Sequence, residues 1–394
     1  HYKYMKKDII MALRTFSKEK TAFHRDTAMP IRTSIKEKDI SFNSVIVTQD
    51  FLRIEDGKKD IFETPFKKNS KWMYHIAGSQ IVASLDNISH KFFYGDDDGQ
   101  HSLRWNIYSK CDLPFCTNSW AKIFSPSEEY KEYIAEDIVS AFKGSLVISF
   151  ELPESVLEIF TENNIPYIDF SNYPIRFLPD YFYGVRTNVT EWYERIQKCA
   201  LDYHIVNEFA RITQAKASRI ALFDSVEQCS VLFLGQMPID SSLICDGEIA
   251  NEDFVKEKLL ESSLKYPNLY YKPHPHNKQA GSIIEYCSSL KVKIADFNIY
   301  DCFGCGKFVK IIGLSSGGIF EAKFFGLESE RFLKKKYFFE DKDNMSLFYN
   351  PVYADFMRKD FWDYILHNKG DFIKTTPNPY IDAMKFSLQM KWGR

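Results

Sequence analysis

The sequence has no apolar run long enough to cross a membrane and no recognisable signal peptide. It also has no excess of either charge, because 51 Lys and Arg residues face 53 Asp and Glu residues, giving a net charge of −2. Without a general basic field, non-specific binding to nucleic acid is not expected. These absences predict a cytoplasmic protein with no nucleic-acid partner. The basic run Lys334–Lys336 is typical of solvated surface, although a patch facing anionic lipid would look the same.

The motifs of several common enzyme classes are absent as well. Neither GxxxxGK(S/T) nor GxGxxG after the first strand occurs, which argues against a P-loop kinase and a dinucleotide-dependent oxidoreductase. The eight cysteines are scattered and several adjoin apolar runs, as reduced core cysteines do. Cys302 and Cys305 form one CxxC without a second pair or nearby histidines, so we expect no metal site.

What the chain does contain is a repeated α/β pattern. Apolar runs typical of buried strands alternate with helical stretches, which predicts parallel sheets. The predicted strands are Ser44–Thr48, Gly144–Phe150, Ile165–Phe170, Ser230–Leu234, Leu269–Lys272, Lys291–Ala295 and Phe308–Gly313. The predicted helices are Tyr130–Ala141, Glu154–Glu162, Phe254–Leu264, Ser316–Phe325, Asp360–Leu366 and Ile381–Trp392, with Glu191–Ser225 as a mostly polar helical connection.

The length of 394 residues is sufficient for two domains. We expect two Rossmann-like domains facing a cleft, at residues 1–205 and 206–345. Residues 346–394 are expected to form helices that pack back toward the first domain. In open α/β sheets, ligands bind at the carboxyl ends of the strands, so polar residues that directly follow strands are the candidates for function.

In the second half, two such segments point to phosphate binding. Lys272-Pro273-His274-Pro275 ends a predicted strand, and its prolines fix the backbone that carries His274. The segment Ser315-Ser316-Gly317 stands between a strand and a helix, where hydroxyls and free N–H groups can hold a phosphate. A plain serine N-cap is the alternative interpretation. Glu321, one turn further, is a candidate for the ribose hydroxyls.

Carboxylates and arginines complete the candidate set. Asp240 lies in the loop Gly235–Ser242 after a strand, where it could act as a nucleophile or base or simply cap the next helix. Glu151 ends the strand of the first half and could act as a general acid or base or be a solvated strand end. Asp96–Asp98 is an acidic turn. Three further polar residues could bind a sugar carboxylate or an acceptor: Arg176, Arg186 and Asn188.

Taken together, the segments at 235–242, 272–275, 315–322 and 174–180 resemble a known family. KPHP followed by SS is similar to motifs of bacterial GT-B sialyltransferases, which use CMP-sugars. The fuller set looks closer to retaining β-Kdo transferases of the capsule-synthesis and O-antigen type, covering Leu146 to Gly326. In that family the matching segments are a GQ-x-x-x-D-x-S loop, KPHP, a serine-rich loop followed by Glu-Ala, and a P-x-R-F-x-x-D segment.

The resemblance implies a GT-B fold with an acceptor-binding first domain and a CMP-sugar-binding second domain. It implies CMP-Kdo as donor, a polysaccharide or glycolipid as acceptor, and no metal. It also implies a glycosyl-enzyme on Asp240, Glu151 as acid/base, and CMP contacts from His274, Gln236, Lys272, Ser315, Ser316, Gly317 and Glu321. Peripheral contact with the inner membrane or with other glycan-assembly modules fits such a role. The alternatives are an inverting sialyltransferase with Asp97 or Asp98 as base, and a non-catalytic glycan- or nucleotide-binding protein.

Overall fold

Two mainly parallel β-sheets organise the chain. The computed structural model describes residues 34–56, 66–95, 102–125, 127–278 and 280–388. The first sheet has the spatial order β13-β5-β4-β3-β1-β2 and the second the order β10-β9-β6-β11-β12. Their strands are β1 Ser44–Gln49, β2 His90–Phe92, β3 Ser145–Phe150, β4 Tyr167–Asn172, β5 Tyr183–Thr187, β6 Ser230–Leu234, β9 Leu269–Lys272, β10 Lys293–Ile294, β11 Phe308–Gly313, β12 Glu328–Arg331 and β13 Asn350–Val352. A separate hairpin joins β7 Ile244–Cys245 to β8 Glu248–Ile249.

All strand pairs of the second sheet are parallel. In the first sheet β1 to β4 are parallel, whereas β5 and β13 add two antiparallel pairs at one edge. Parallel neighbours require a crossover, and helices provide most of these connections. The α-helices are α1 Phe66–Met73, α2 Ser79–Ser84, α3 Leu103–Lys110, α4 Thr117–Phe124, α5 Glu128–Phe142, α6 Glu154–Glu162, α7 Thr190–Lys198, α8 Tyr203–Ala217, α9 Glu252–Lys265, α10 Gly281–Ser289, α11 Ile299–Gly304, α12 Gly317–Glu321, α13 Lys359–His367 and α14 Ala383–Ser387.

Each sheet has an apolar core on both faces. Along β1, Val45 and Val47 enter one core while Ile46 enters the other, because successive side chains of a strand point to opposite faces. Along β6, Val231 and Phe233 likewise face away from Leu232 and Leu234. Sheets covered on both faces read as continuous apolar runs, which is why these strands are recognisable in the sequence. The fold is therefore mixed α/β with two Rossmann-like sheets.

The segment Glu191–Ser225 differs from the predicted polar connection. It contains two helices, α7 and α8, that separate at Cys199–Asp202. Trp192 and Ile196 of α7 are buried in the core of the first sheet, whereas Val206 and Phe209 of α8 are buried in a core of the second. Charged residues on the exposed faces of these helices make the segment look polar in the sequence, although each helix also has a buried apolar face.

The C-terminal segment crosses back to the first sheet. Strand β13 pairs with β5, and α13 packs on α2 and α7. The last described helix, α14, contacts α8 instead. Residues 389–392 of the helix predicted at Ile381–Trp392 lie outside the described residues.

Candidate functional site

The carboxyl ends of strands from both sheets line one cleft. Glu151 follows β3 and Ser171 lies near the end of β4, on the side of the first sheet. From the second sheet come Gln236 after β6, His274 after β9 and Ser315 after β11. Because they follow or end strands, these five polar residues come together in one cleft, although Glu151 and Ser315 are 164 positions apart in the sequence.

Gln236 joins the loop after β6 to the loop after β11. Its Oε1 accepts the Ser315 N–H at 2.8 Å, and its Nε2 lies 3.1 Å from the Ser315 Oγ and 3.2 Å from the Ser242 Oγ. The two serine hydroxyls are themselves 3.2 Å apart. The Gln236 amide therefore holds the serine loop in place, and the hydroxyls form a polar wall of the cleft.

Ser316 and Gly317 also border the cleft. The Ser316 Oγ accepts the Gly318 N–H at 3.3 Å, so this serine does act as an N-cap. Helix α12 spans five residues, Gly317–Glu321, and a 3₁₀ turn at Ala322–Phe325 replaces the rest of the predicted helix. With so short a helix, the hydroxyls are the donors that matter here.

Glu321 lies behind this loop and not on the cleft surface. Its carboxylate is 3% exposed and accepts the Arg176 N–H and, at 3.2 Å, the Tyr300 hydroxyl. Burial raises its pKa to about 7, although the Arg176 N–H and charge and the Tyr300 hydroxyl oppose the shift. The predicted contact with ribose would require this carboxylate to exchange its present partners.

His274 is partly buried at the cleft, with a fixed ring. Its Nδ1 accepts the His276 N–H at 3.2 Å, so Nε2 carries the proton of the neutral ring. Burial lowers the pKa of His274, as do the charges of His276 and Arg176, while Asp240 raises it. A neutral imidazole with an Nε2–H donor is suited to hydrogen-bonding an anion.

Lys272 corrects one prediction. Its Nζ donates to the Phe297 carbonyl, on the loop that follows β10, and the residue does not border the cleft. Its backbone carbonyl accepts the Gly235 N–H at 2.8 Å, which ties β9 to the start of the Asp240 loop.

Asp240 is partly buried in the loop after β6 and borders the cleft. Its Oδ1 accepts the Ser242 N–H at 2.8 Å and caps the 3₁₀ turn Ser241–Leu243. The capping bond offered as one interpretation is present, and the nucleophile or base role stays a prediction for a residue at the cleft. The capping bond fixes the orientation of a carboxylate that also faces the cleft.

Glu151 lies in the same cleft and has an unusual backbone. Its φ of 54° is in the left-handed region, which is costly for a side chain other than Asn or Asp. Burial raises its pKa to about 7, the Ser171 hydroxyl at 2.7 Å opposes this, and the charge of Asp240 adds to it. The two carboxylates are thus close enough to influence each other electrostatically.

Arg176 is exposed and borders the cleft near His274. The segment that carries Arg176 packs on the second half of the chain. Pro174 lies so close to Gly317 that a Cβ added to this glycine would be 3.1 Å from the Pro174 Cβ. Phe177 packs on Tyr300 and Phe325. The segment therefore crosses from the first sheet to the serine loop.

Arg186 and Asn188, the other two residues predicted to bind a sugar carboxylate or an acceptor, both make internal bonds. Arg186 touches the cleft but is only 3% exposed; its Nε donates to Asp169 at 2.8 Å, and its terminal nitrogens donate to the Leu347 and Leu152 carbonyls. Asn188 is fully buried and bonds the Tyr167 N–H and the Ile165 carbonyl. Three of the five Arg186 N–H groups and the Asn188 amide are therefore engaged inside the fold.

Three cations outside the predicted set of site residues border or support the cleft. Lys335 and Lys336, interpreted above as solvated surface, line it. Lys335 donates from Nζ to the Ser241 and Ile244 carbonyls at 3.3 and 2.7 Å. Arg53, 9% exposed, donates to the Ile239 carbonyl at 3.0 Å, next to Asp240. These cations could not be predicted from a motif, because their place at the cleft depends on which loop each side chain contacts in the folded chain.

The remaining candidate features are the CxxC pair, a metal site, a membrane span and the acidic turn. Cys302 is buried, and the Cys305 thiol lies 3.2 Å from the Cys302 carbonyl, so this CxxC is part of helix packing. Within the described residues, no group of three or more His, Cys, Asp or Glu side chains could hold a metal ion. In the same part of the chain, no helix has both the length and the apolar character needed to span a membrane. The turn Asp96–Asp98 lies outside the described residues.

Comparison with known proteins gives resemblance only at the level of structure. No family model and no curated protein matches the chain. One similar solved structure is the beta Kdo 2,7 transferase KpsC of Thermosulfurimonas dismutans, with 14% identity and a TM-score of 0.35, covering 74% of this chain and 78% of that chain. Another is the UDP-GlcNAc 2-epimerase of Methanocaldococcus jannaschii in complex with UDP-GlcNAc and UDP, with 11% identity and a TM-score of 0.28, covering 88% and 98% respectively. Likeness of this degree carries no conclusion about activity, which has to be argued from the cleft.

Proposed function

We propose that this chain is a retaining glycosyltransferase that moves Kdo from CMP-β-Kdo to a bacterial surface glycan, either a lipopolysaccharide O-antigen or a capsule linker. The observation that carries the proposal is the pairing of Asp240 and Glu151 in one cleft beside His274 and the Ser315 loop. An anion-binding wall next to two carboxylates supports transfer from a sugar phosphate donor. The choice of CMP and Kdo rests on the motif resemblance of segments 235–242, 272–275 and 315–322.

In this mechanism the Asp240 carboxylate attacks the anomeric carbon C2 of Kdo. The bond from C2 to the phosphate oxygen breaks, and CMP leaves with the electron pair. His274 Nε2–H and the hydroxyls of Ser315 and Ser316 donate hydrogen bonds to the phosphate, whose negative charge increases as the bond breaks. The product of this first step is a glycosyl ester on Asp240 with inverted configuration.

In the second step a hydroxyl of the acceptor attacks C2 of the glycosyl ester. Glu151 takes the hydroxyl proton, the new glycosidic bond forms, and the bond to Asp240 breaks, which restores its carboxylate. Two inversions give net retention. The raised pKa of Glu151, about 7, makes it basic enough to receive a proton near neutral pH. Asp240, held by the Ser242 N–H, is oriented throughout.

The direct test is to incubate the protein with CMP-Kdo and a bacterial membrane glycolipid extract, and to analyse the products by mass spectrometry. We expect a mass increase of one Kdo residue on an acceptor and release of CMP. Transfer from CMP-sialic acid but not CMP-Kdo would favour the sialyltransferase alternative. Binding of CMP without turnover of either donor would favour a non-catalytic binding protein.

The nucleophile is tested by Asp240→Asn. The amide cannot form the glycosyl ester, so we expect the transfer rate to fall by about 1,000-fold or more. Asp246→Asn is the matched control, since Asp246 is exposed in the turn between β7 and β8 and should leave the rate nearly unchanged. A near wild-type rate in Asp240→Asn would contradict the double-displacement mechanism and leave an inverting one.

A further inference from the structure

The proposed donor poses an electrostatic problem that the cleft has to solve. In a 2-keto sugar acid the anomeric carbon C2 is bonded directly to the C1 carboxylate. An anionic nucleophile that attacks C2 must therefore approach within a few ångströms of a second negative charge. In a partly desolvated cleft this repulsion is larger than in water. A cation beside the nucleophile would offset it, and this requirement rests on the proposed function.

Lys335 is the cation that is tied to the nucleophile loop. Its Nζ donates to the Ser241 carbonyl at 3.3 Å and to the Ile244 carbonyl at 2.7 Å, one and four residues after Asp240. An ammonium group has three N–H bonds, so one remains for a ligand in the cleft that Lys335 lines. Burial lowers the pKa of Lys335, while the charges of Glu154, Cys245, Asp240 and Asp246 raise it.

The arginines at or near the cleft are placed differently. Arg176, one of the residues predicted to bind the sugar carboxylate, lies beside the serine loop that is assigned to the phosphate, because its N–H donates to Glu321 and Pro174 contacts Gly317. Three N–H groups of Arg186 bind Asp169 and the Leu152 and Leu347 carbonyls, none of which belongs to the Asp240 loop. Arg53 pairs with Glu55 and donates to the Ile239 carbonyl. Unlike these arginines, Lys335 combines a place on the cleft surface with bonds to the loop of Asp240.

We propose that Lys335 binds the C1 carboxylate of the donor sugar and so makes the site specific for 2-keto sugar acids. Arg176 is assigned to the phosphate side. The ammonium group recognises the carboxylate as a charge-assisted hydrogen-bond donor, and its two carbonyl bonds keep it at a fixed distance from Asp240. A neutral sugar at the same position would leave the ammonium without its third partner.

The test compares CMP-Kdo with its uncharged C1 carboxamide analogue. In the wild-type protein we expect kcat/KM for the carboxylate donor to exceed that for the carboxamide by about 10- to 100-fold. In Lys335→Met the ratio should fall to near one, because both donors lose the same amount of shape recognition but only one loses a charge partner. The affinity for CMP alone, measured by calorimetry, should change less than about twofold, since the proposal assigns the lysine to the sugar carboxylate and not to the nucleotide.

Three further variants separate recognition from folding. Lys335→Gln is neutral but can still donate to the Ser241 and Ile244 carbonyls, and it should also lose the preference. Lys334→Met alters the exposed neighbour, which donates to the Arg331 carbonyl, and should keep the wild-type ratio. Arg176→Met should weaken CMP binding and keep the ratio.

Three outcomes would overturn the inference. A wild-type ratio in both Lys335 variants, whatever their absolute rates, would show that the lysine only supports the loop. Equal use of the two donors by the wild-type protein would show that the carboxylate is not recognised; both results leave the proposed function standing. Failure of the wild-type protein to use either donor would overturn the proposed function together with this inference.

Discussion

The ionisation of single residues governs the chemistry available in this cleft. Glu151 and Glu321 are both carboxylates whose pKa burial raises to about 7, yet their surroundings differ. Glu321 is enclosed by the Arg176 N–H and the Tyr300 hydroxyl, whereas Glu151 accepts a hydroxyl from Ser171 and borders the cleft. The two carboxylates thus have similar pKa values, but Glu321 is enclosed by protein groups whereas Glu151 is accessible to a ligand in the cleft.

The pH dependence of transfer should report Glu151. The base form is needed to accept the acceptor proton, and the folded-state pKa is raised to about 7, so the rate should rise with pH and reach half its maximum near pH 7. Glu151→Gln should lower the rate by about 100-fold or more and flatten the profile. Ser171→Ala removes a hydrogen bond that favours the carboxylate, so its midpoint should move to higher pH. A midpoint near 4.5, the ordinary value for Glu, would contradict the role.

For single residues, the sequence indicates which ones lie at strand ends, but it does not indicate which side chains they will contact. Glu151, Asp240, His274 and Ser315 could be singled out because each follows a recognisable strand. The ion pair of Arg186 with Asp169 could not be predicted, because it depends on the register of β4 against β5. Such pairing between strands has no local signature in the sequence.

The crossing of α8 and α11 shows how one glycine sets the distance between two elements. A Cβ on Gly304, at the end of α11, would lie 2.7 Å from the Ala217 Cβ and 3.0 Å from the Gln214 Cα. Cys302 and Phe303 of the same helix are buried in this contact. The CxxC spacing of the sequence thus reflects the two ends of a packed helical turn.

Gly304→Ala should reduce the free energy of unfolding by about 1–3 kcal/mol, because the added methyl group forces the two helices apart. Gly281→Ala is the control: no atom lies within 4 Å of its added Cβ, and alanine favours the helix by up to about 1 kcal/mol. Urea denaturation of both variants measures the difference. Equal stabilities would show that the crossing adapts without cost.

Elements differ in how well the sequence predicts them. The central parallel strands are continuous apolar runs and were predicted nearly to their ends. Strands β5 and β13 were missed because Tyr183–Thr187 contains a buried arginine and Asn350–Val352 a proline. Both belong to the antiparallel edge of the first sheet, where pairing with neighbours outweighs the local pattern.

For the whole molecule, the decisive feature is the return of the chain to the first sheet. Strand β13 completes the edge of that sheet, and Phe361, Trp362 and Ile365 of α13 fill one of its cores. Tyr349, just before β13, donates to Asp169 at 2.8 Å and stacks under the Arg186 guanidinium at 4.1 Å. The first sheet is thus built from two distant parts of the chain.

Trp362→Ala should lower the free energy of unfolding by about 3–5 kcal/mol, since the ring is fully buried and lies against Phe361 and Phe170. Tyr380→Ala, at a side chain that is 72% exposed, should change it by less than about 0.5 kcal/mol. Chemical denaturation followed by circular dichroism provides both values. A small loss for Trp362→Ala would mean that α13 is only loosely attached to the first sheet.

The returning chain also fixes an order of events during synthesis on the ribosome. The strands of the second sheet all lie between Ser230 and Arg331, so that sheet can form once this stretch has emerged. The first sheet begins at Ser44 but lacks its edge strand and a core helix until Leu366 has been made. At roughly 5–20 residues per second, the first half waits on the order of ten seconds or more after its own strands are complete. The part translated first is therefore finished last, and its apolar faces need protection in the interval.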